Sequence, residues 1–117
     1  MQNNWAKAKE NLDRAIKINP KNDDAYRNRG YTYGGLREYE LAEIDFDKAL
    51  EINPHKLENK VRKAMWLTRF CRFGEAYKML MNLTDIERKS HRGYMATTYY
   101  NKKVEDENYI NKALRGL

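Results

Sequence analysis

The sequence has few residues of several types, and each scarcity excludes a class of protein. Its 117 residues include one cysteine, Cys71, so an internal disulfide cannot form and a cytoplasmic, reducing location is expected. One cysteine and two histidines offer no zinc-ligand cluster. No apolar run approaches the roughly 18 residues of a membrane span, and no secretory signal is recognised. We therefore expect no metal, no cofactor and no membrane association.

The positive charge is concentrated in the middle of the sequence. The formal net charge is +6, and residues 1–54 contain nine Lys/Arg against ten Asp/Glu. Residues 55–82 contain seven against two, and residues 83–117 seven against five. A local excess of this kind predicts an acidic partner near the middle segment better than it predicts a general coat for nucleic acid.

The sequence repeats with a period of 34 residues. The equivalent positions of successive copies hold residues of the same type: Trp5, Tyr39 and Phe73; Ala8, Ala42 and Ala76; Leu12, Phe46 and Leu80; Ala15, Ala49 and Leu83. The strings AIKINP and ALEINP end the first two copies at Pro20 and Pro54. Repeats of this length must stack, because one unit alone cannot bury its apolar face.

Each complete copy is predicted to be a pair of helices. From Tyr39 to Ala49 the apolar residues are spaced by three, four and three, which is typical of one helix face. The Asn-Pro pair at Pro54 ends that helix. The preceding segment has the same character, and Asn22 or Asp23 is its expected N-cap.

The pattern resembles the tetratricopeptide repeat family. Residues 23–56 match it with aromatic and small residues in the expected order: Tyr26, Gly30, Tyr33, Leu36, Tyr39, Ala42, Phe46, Ala49 and Pro54. Residues 57–90 also match, with Arg88 in place of the closing proline, and residues 1–20 supply only the second helix of a repeat, whose first helix is missing. The resemblance implies an all-α fold: an α-solenoid of stacked antiparallel helix pairs forming a right-handed superhelix.

We expect one helical-repeat domain over residues 1–117. Residues 1–20 are a half repeat, 21–54 and 55–88 are full repeats, and 89–117 are a degenerate repeat or a C-terminal cap. In the last part, helices are predicted over about 85–102 and 104–115. Arg37 and Cys71 occupy positions where the family usually has a left-handed glycine, at a cost of about 1 kcal/mol each unless the turn is built differently.

The resemblance places ligands in a concave groove lined by the first helix of each repeat, here called helix A. The groove positions are Asp24, Arg27, Asn28, Tyr31 and Gly35 in one repeat and Glu58, Val61, Arg62, Met65 and Arg69 in the next. We predict partner contacts for six of them: Arg27, Asn28, Tyr31, Arg62, Met65 and Arg69. Arginines suit carboxylates, which they bind through two parallel hydrogen bonds. The alternative is that they are surface residues paired with Asp24 and Glu58.

The resemblance implies a non-enzymatic protein–protein interaction module that binds a peptide or a partner helix. A carboxylate clamp of the chaperone-binding type is disfavoured: Asn28 and Arg62 occupy two clamp positions, but Glu58 reverses the charge at a third. Cys71 and His91 do not form a recognisable catalytic pair.

Two other binding functions remain open. One is homotypic assembly, in which Trp5 and Leu12 on the N-terminal helix form a homodimer. The other is an RNA-binding helical repeat, suggested by three tyrosines next to lysines: Tyr94, Tyr99, Tyr100, Lys102 and Lys103. Tyrosines at helical spacing more often pack between helices, which disfavours RNA.

Overall fold

A computed structural model describes residues 4–116, which form seven α-helices and no strand. The helices are α1 (Trp5–Ile18), α2 (Asp23–Gly35), α3 (Tyr39–Ile52), α4 (Leu57–Arg69), α5 (Phe73–Met81), α6 (Asp85–Lys89) and α7 (His91–Arg115). The chain divides into two compact units, the first ending at Asn59 and the second beginning at Lys60. The predicted all-α helical-repeat fold is confirmed, and the hand of the superhelix stays a prediction.

The first unit is built around the packing of α2 against α3. Asn22 caps α2, since its Oδ1 accepts a hydrogen bond from the backbone N–H of Ala25 at 3.1 Å. A Cβ added at Gly30 would lie 2.9 Å from the Phe46 ring and 3.1 Å from the carbonyl oxygen of Ala42. The small residue at position 30 is therefore what allows the two helices to approach, and Phe46 fills the space this opens.

The Asn-Pro pairs end α1 and α3 as predicted. The two helices stop at Ile18 and Ile52, and the asparagine that follows each has φ near −135°. Proline disfavours the helical conformation in the residue before it, which explains both ends. The half repeat predicted over residues 1–20 begins with residues 1–3, which lie outside the described residues.

The turns between paired helices contain left-handed residues that are not glycine. Arg37 has φ 62° and Cys71 has φ 60°. At the first turn, the N–H of Glu38 donates to the carbonyl of Tyr33 at 2.9 Å, and the N–H of Arg37 donates to Gly34 at 3.2 Å. These two bonds define a Schellman motif, the usual glycine-containing end of a helix. Of the two possibilities stated for positions 37 and 71, the structure shows the left-handed conformation.

The end of the second unit differs from the prediction. Helices over 85–102 and 104–115 were expected, whereas the break falls earlier, between α6 and the 25-residue α7. Ser90 produces the break, because its extended backbone ends α6 and its Oγ accepts a hydrogen bond from the N–H of Gly93 at 3.2 Å. Around residue 103 nothing interrupts the helix, and the Lys102–Asp106 ion pair at 3.0 Å spans that point.

The core of the second unit contains small and aliphatic side chains together with a few aromatic rings. Ala76, Leu80, Leu83 and Ala96 are buried. The α5 residue Phe73 meets Tyr100 of α7 edge to face, with ring centroids 6.0 Å apart. The aromatic and small residues of the repeat pattern thus pack as the 34-residue register predicts.

Candidate functional site

Helix α2 carries three of the predicted contact residues, and the structure gives them different environments. Asn28 is exposed and Tyr31 is 53% exposed, while Arg27 is only 9% exposed. The first two side chains are accessible to a partner on one helix face, since residues three apart are neighbours there. Arg27 lies mostly beneath the surface.

Arg27 is held by hydrogen bonds within the first unit. Its Nη1 donates to Asp24 Oδ1 at 2.9 Å and to Asn59 Oδ1 at 2.8 Å. The Nζ of Lys56 reaches the same Asp24 oxygen at 2.6 Å. The pKa of the Asp24 carboxyl is lowered, first of all by the hydrogen bond from Lys56. Burial acts to raise this pKa, but the hydrogen bond from Arg27 adds to the lowering. The pairing of Arg27 with Asp24 that was considered as an alternative is therefore present.

Asn59, which was not selected by sequence analysis, lies at the centre of this network. It is among the largest fully buried side chains. Its Nδ2 is 3.0 Å from Asp23 Oδ2 and 3.1 Å from the carbonyl oxygens of Ala49 and Asn53. A buried amide that binds the end of α3 and the beginning of α2 fixes the orientation of those helices.

Trp5 packs against helix α2. Its ring meets that of Tyr31 edge to face, with centroids 5.6 Å apart. A Cβ added at Gly35 would overlap the indole. Trp5 is half-buried, so the indole considered for a homodimer already has a partner within the first unit, and it packs next to the exposed Gly35 groove position.

The second unit presents the three remaining contact residues on α4. Arg62 and Met65 are half-buried and Arg69 is exposed, whereas Val61 is buried. The Arg69 guanidinium lies 5.3 Å from the centroid of the Phe70 ring and 5.6 Å from that of Trp66. Two aromatic faces restrain this side chain, which reduces the entropy it would lose on binding an anion.

A cluster of charges joins the three helices of the first unit and was missed by sequence analysis. Arg29 makes a two-point ion pair with Asp45, with Nε–Oδ2 at 2.7 Å and Nη2–Oδ1 at 2.9 Å, and its Nη1 reaches Asp13 at 3.0 Å. The hydrogen bonds to both carboxylates outweigh burial and raise the pKa of Arg29. Burial works to raise the pKa of Asp13, but hydrogen bonds from Lys9 and Arg29 outweigh it and lower that pKa.

Two of the residues considered for other chemistries, Cys71 and Tyr100, make contacts within the second unit. The Cys71 thiol lies 3.3 Å from Glu107 Oε1, and desolvation together with this hydrogen bond raises the pKa of the thiol, although the residue is exposed. A thiol that stays protonated is a poor nucleophile. Tyr100 packs between Phe73 and Tyr77, while Tyr94 is exposed.

Among residues 4–116, no group of three or more His, Cys, Asp or Glu side chains is placed to hold a metal ion. Within the same residues, no helix is long and apolar enough to cross a membrane.

Comparisons with known proteins agree with this geometry. The family model "Tetratricopeptide repeat" matches residues 23–56, and the model "TPR repeat" matches residues 1–36. The Arabidopsis OM64 TPR domain is similar in structure, with TM-score 0.70, 26% sequence identity and coverage of 84% of this chain and 81% of that one. The TPR2B domain of yeast Sti1, solved as a complex with pHsp70, has TM-score 0.73 at 22% identity, covering 87% and 84%.

One curated protein is similar over a short region. It is the UDP-N-acetylglucosamine--peptide N-acetylglucosaminyltransferase of Giardia intestinalis (strain ATCC 50803 / WB clone C6), 42% identical over 48 residues. The match covers 41% of this chain and 3% of that protein, so this chain spans a very small part of its relative. The transferase activity belongs to that protein by name.

This chain belongs to the tetratricopeptide repeat family. Its repeats and its structural neighbours support a protein–protein interaction module.

Proposed function

We propose that this chain binds a protein segment through the A helices of its repeats, which are α2 in the first unit and α4 in the second. The observation that supports this best is the Arg69 guanidinium, which is exposed and restrained over Phe70 and Trp66. A restrained guanidinium binds a carboxylate at a smaller entropic cost than a mobile one. We expect the segment to be a peptide or a partner helix.

The charge of the second unit favours an acidic segment. Residues 60–117 contain thirteen Lys/Arg against six Asp/Glu, a net charge of +7. On α4, Arg62 and Arg69 are two helix turns apart, with Met65 between them. Two cations around a flexible apolar side chain suit a segment in which acidic residues flank an apolar one.

In the first unit, the proposed contacts are the exposed Asn28 and Tyr31. An amide and a phenol both donate and accept hydrogen bonds, so they suit the backbone of an extended segment. Arg27 supports them, because its bonds to Asp24 and Asn59 hold α2 in place. The single cysteine supports a cytoplasmic location for this interaction.

A double charge reversal in α4 tests the proposal. The chain is immobilised, proteins bound from an extract of the source cells are identified by mass spectrometry, and the R62E/R69E variant is compared with wild type. Bound proteins should be lost in the variant and should elute from wild type as salt rises, because partly exposed charges are screened within about 10 Å at 0.1 M.

The matched control is K89E/K112E, which changes the same amount of charge at exposed residues of α6 and α7. Both variants must keep the helical content of wild type. If R62E/R69E retains the partners, or if the control loses them as well, helix α4 is not the binding surface.

Homotypic assembly through α1 is a second candidate. None of the described residues of α1 is fully buried, and Ile18 is 85% exposed. We propose that the half-buried Leu12 joins Trp5 in such a contact. Light scattering at tens of micromolar should then show a dimer that W5S/L12S converts to monomer, and a wild-type monomer at that concentration would exclude it.

A further inference from the structure

The end of α7 extends past the residues that pack against this helix. Its covered face runs through Ala96, Tyr100 and Glu107, and the Oε1 atom of Glu107 lies 3.3 Å from the Cys71 thiol. All residues from 108 to 116 are exposed, so this end of the helix gives up no buried side chain when it unwinds. A helix end of this kind opens at little cost in free energy.

Tyr109 lies in this exposed end and is itself 75% exposed. Three acidic residues come shortly before it: Glu105, Asp106 and Glu107. The first two are four and three positions away, so they are neighbours of Tyr109 on the helix surface. Residues 104–111 contain no lysine or arginine. The segment therefore combines an accessible phenol with a run of carboxylates on its N-terminal side.

Four other tyrosines are exposed, and three of them are less accessible than Tyr109. Tyr39 is 38% exposed, and Tyr31 is 53% exposed with its ring against that of Trp5. Tyr77 is 51% exposed, and its ring centroid lies 6.3 Å from that of Tyr100. Each of these side chains lies on a helix that is packed along its length, so its backbone cannot unwind without loss of buried contacts.

Tyr94 is the best comparison, because it lies on the same helix and is 63% exposed. Its neighbours Gly93 and Ala96 are buried, so the backbone around it is held in place. The residues before it are basic rather than acidic, since Arg92 is two positions away and Lys89 is five. Tyr94 therefore shares exposure with Tyr109 but neither the open helix end nor the carboxylates.

We propose that Tyr109 is a phosphorylation site for a tyrosine kinase with a basic substrate groove. The phenol oxygen attacks the γ-phosphorus of magnesium-bound ATP, the bond to the β–γ bridging oxygen breaks, and ADP leaves. The phenolic proton passes to the catalytic aspartate of the kinase. This site goes beyond the proposed function, which concerns helices α2 and α4.

The kinase groove selects this tyrosine by its charge. Kinases distinguish substrates by charge pattern, and a basic groove matches Glu105 and Asp106. Asp106 pairs with Lys102 at 3.0 Å, but both side chains are more than half exposed. An exposed pair at this spacing contributes little to stability, so the groove replaces Lys102 at small cost.

Phosphorylation in vitro tests this with defined components. The folded chain is incubated with magnesium, ATP and the purified catalytic domain of a tyrosine kinase that prefers acidic residues before its tyrosine. Mass spectrometry then identifies the modified residues. We expect Tyr109 to carry most of the phosphate. Y109F should lower the rate of phosphate incorporation about tenfold, and Y94F should leave it at the wild-type value.

A second pair of variants tests the acidic residues. E105Q/D106Q should lower kcat/KM for the chain about tenfold, because the charge match with the kinase is lost. The matched control E10Q/E40Q removes the same charge from exposed positions of α1 and α3 and should behave like wild type. All variants must keep the helical content of wild type in circular dichroism.

Three results would overturn the proposal. Phosphate mainly on Tyr94 or another tyrosine would show that the kinase does not select the end of α7. An equal loss in E10Q/E40Q would show that only net charge matters. Phosphorylation of the tryptic peptide 104–112 but not of the intact chain would show that the folded helix excludes the kinase. Because R62E/R69E leaves α7 unchanged, failure of this proposal and failure of the proposed function are distinguishable.

Discussion

Replacing Arg29 with methionine should destabilise the first unit strongly, although an apolar residue is common at this repeat position. The Asp45 side chain is 4% exposed and makes a two-point ion pair with Arg29, whose side chain is 20% exposed. R29M would leave the Asp45 carboxylate buried without its cation. Breaking a buried ion pair on one side costs about 3–5 kcal/mol, and the partial exposure of Arg29 puts the expected loss near 3 kcal/mol.

The double variant R29M/D45M separates this penalty from the value of the ion pair itself. With both charges removed, no buried carboxylate remains, and an apolar pair of similar volume is often neutral or stabilising. We expect the free energy of unfolding of R29M/D45M to lie within about 1 kcal/mol of wild type. Asp13 loses Arg29 as well, but it keeps its 2.7 Å contact with Lys9.

Urea unfolding followed by circular dichroism measures these differences. The control is R14M, which removes an exposed ion pair with Glu10 on α1 and should change stability by less than about 1 kcal/mol. The buried pair does not have the energetic role assigned to it if R29M lowers the free energy of unfolding no more than R14M does. The same holds if the loss in R29M/D45M equals the sum of the losses in R29M and D45M.

Three further variants test other contacts. In thermal melts, G30A should lower the free energy of unfolding by about 1–2 kcal/mol, because the added methyl group meets Phe46. G74A should raise it by about 0.5–1 kcal/mol, because its Cβ would meet nothing within 4 Å. Equal effects of the two changes would contradict the packing described. R37G should stabilise the chain by about 1 kcal/mol by relieving φ 62°, and a lower melting temperature would argue against a strained turn. Asp13, Asp24 and Glu87 have lowered pKa values, the last mainly through the backbone N–H of Thr84. These carboxylates stabilise the fold at pH values above their ordinary pKa values of 3.8 to 4.5, and this stabilisation is lost as pH falls through their lower pKa values in the folded chain. D13N should therefore reduce the fall in stability at acid pH. An unchanged fall would refute this.

The periodic parts of the fold could be predicted from the sequence because each depends on neighbouring residues. The helix pairs follow from the 34-residue register, the helix ends from Asn-Pro, and the start of α2 from the pair Asn22 and Asp23, of which Asn22 is the cap. The register also identified positions 37 and 71 as turn positions, where a left-handed residue was one of two possibilities. Such features recur, so one sequence contains several examples of each.

The remaining contacts depend on residues far apart that belong to no repeat pattern. Arg29 and Asp45 are 16 positions apart, and Asn59 bonds to Asp23 across 36 positions. Nothing in the sequence indicated which carboxylate Arg29 meets. The same holds for Ser90, because a single capping serine is too common to mark a break between helices.

Each of the two units contains one of the chain's two tryptophans. Trp5 lies against Tyr31 in the first unit, and Trp66 meets Phe70 in the second at a centroid distance of 4.8 Å. Tryptophan emission can therefore be assigned to one unit at a time, since a W66F chain keeps only Trp5 of the first unit and a W5F chain only Trp66 of the second. Stacked repeats can lose structure from one end, and these two emission signals show which unit opens first without any added label.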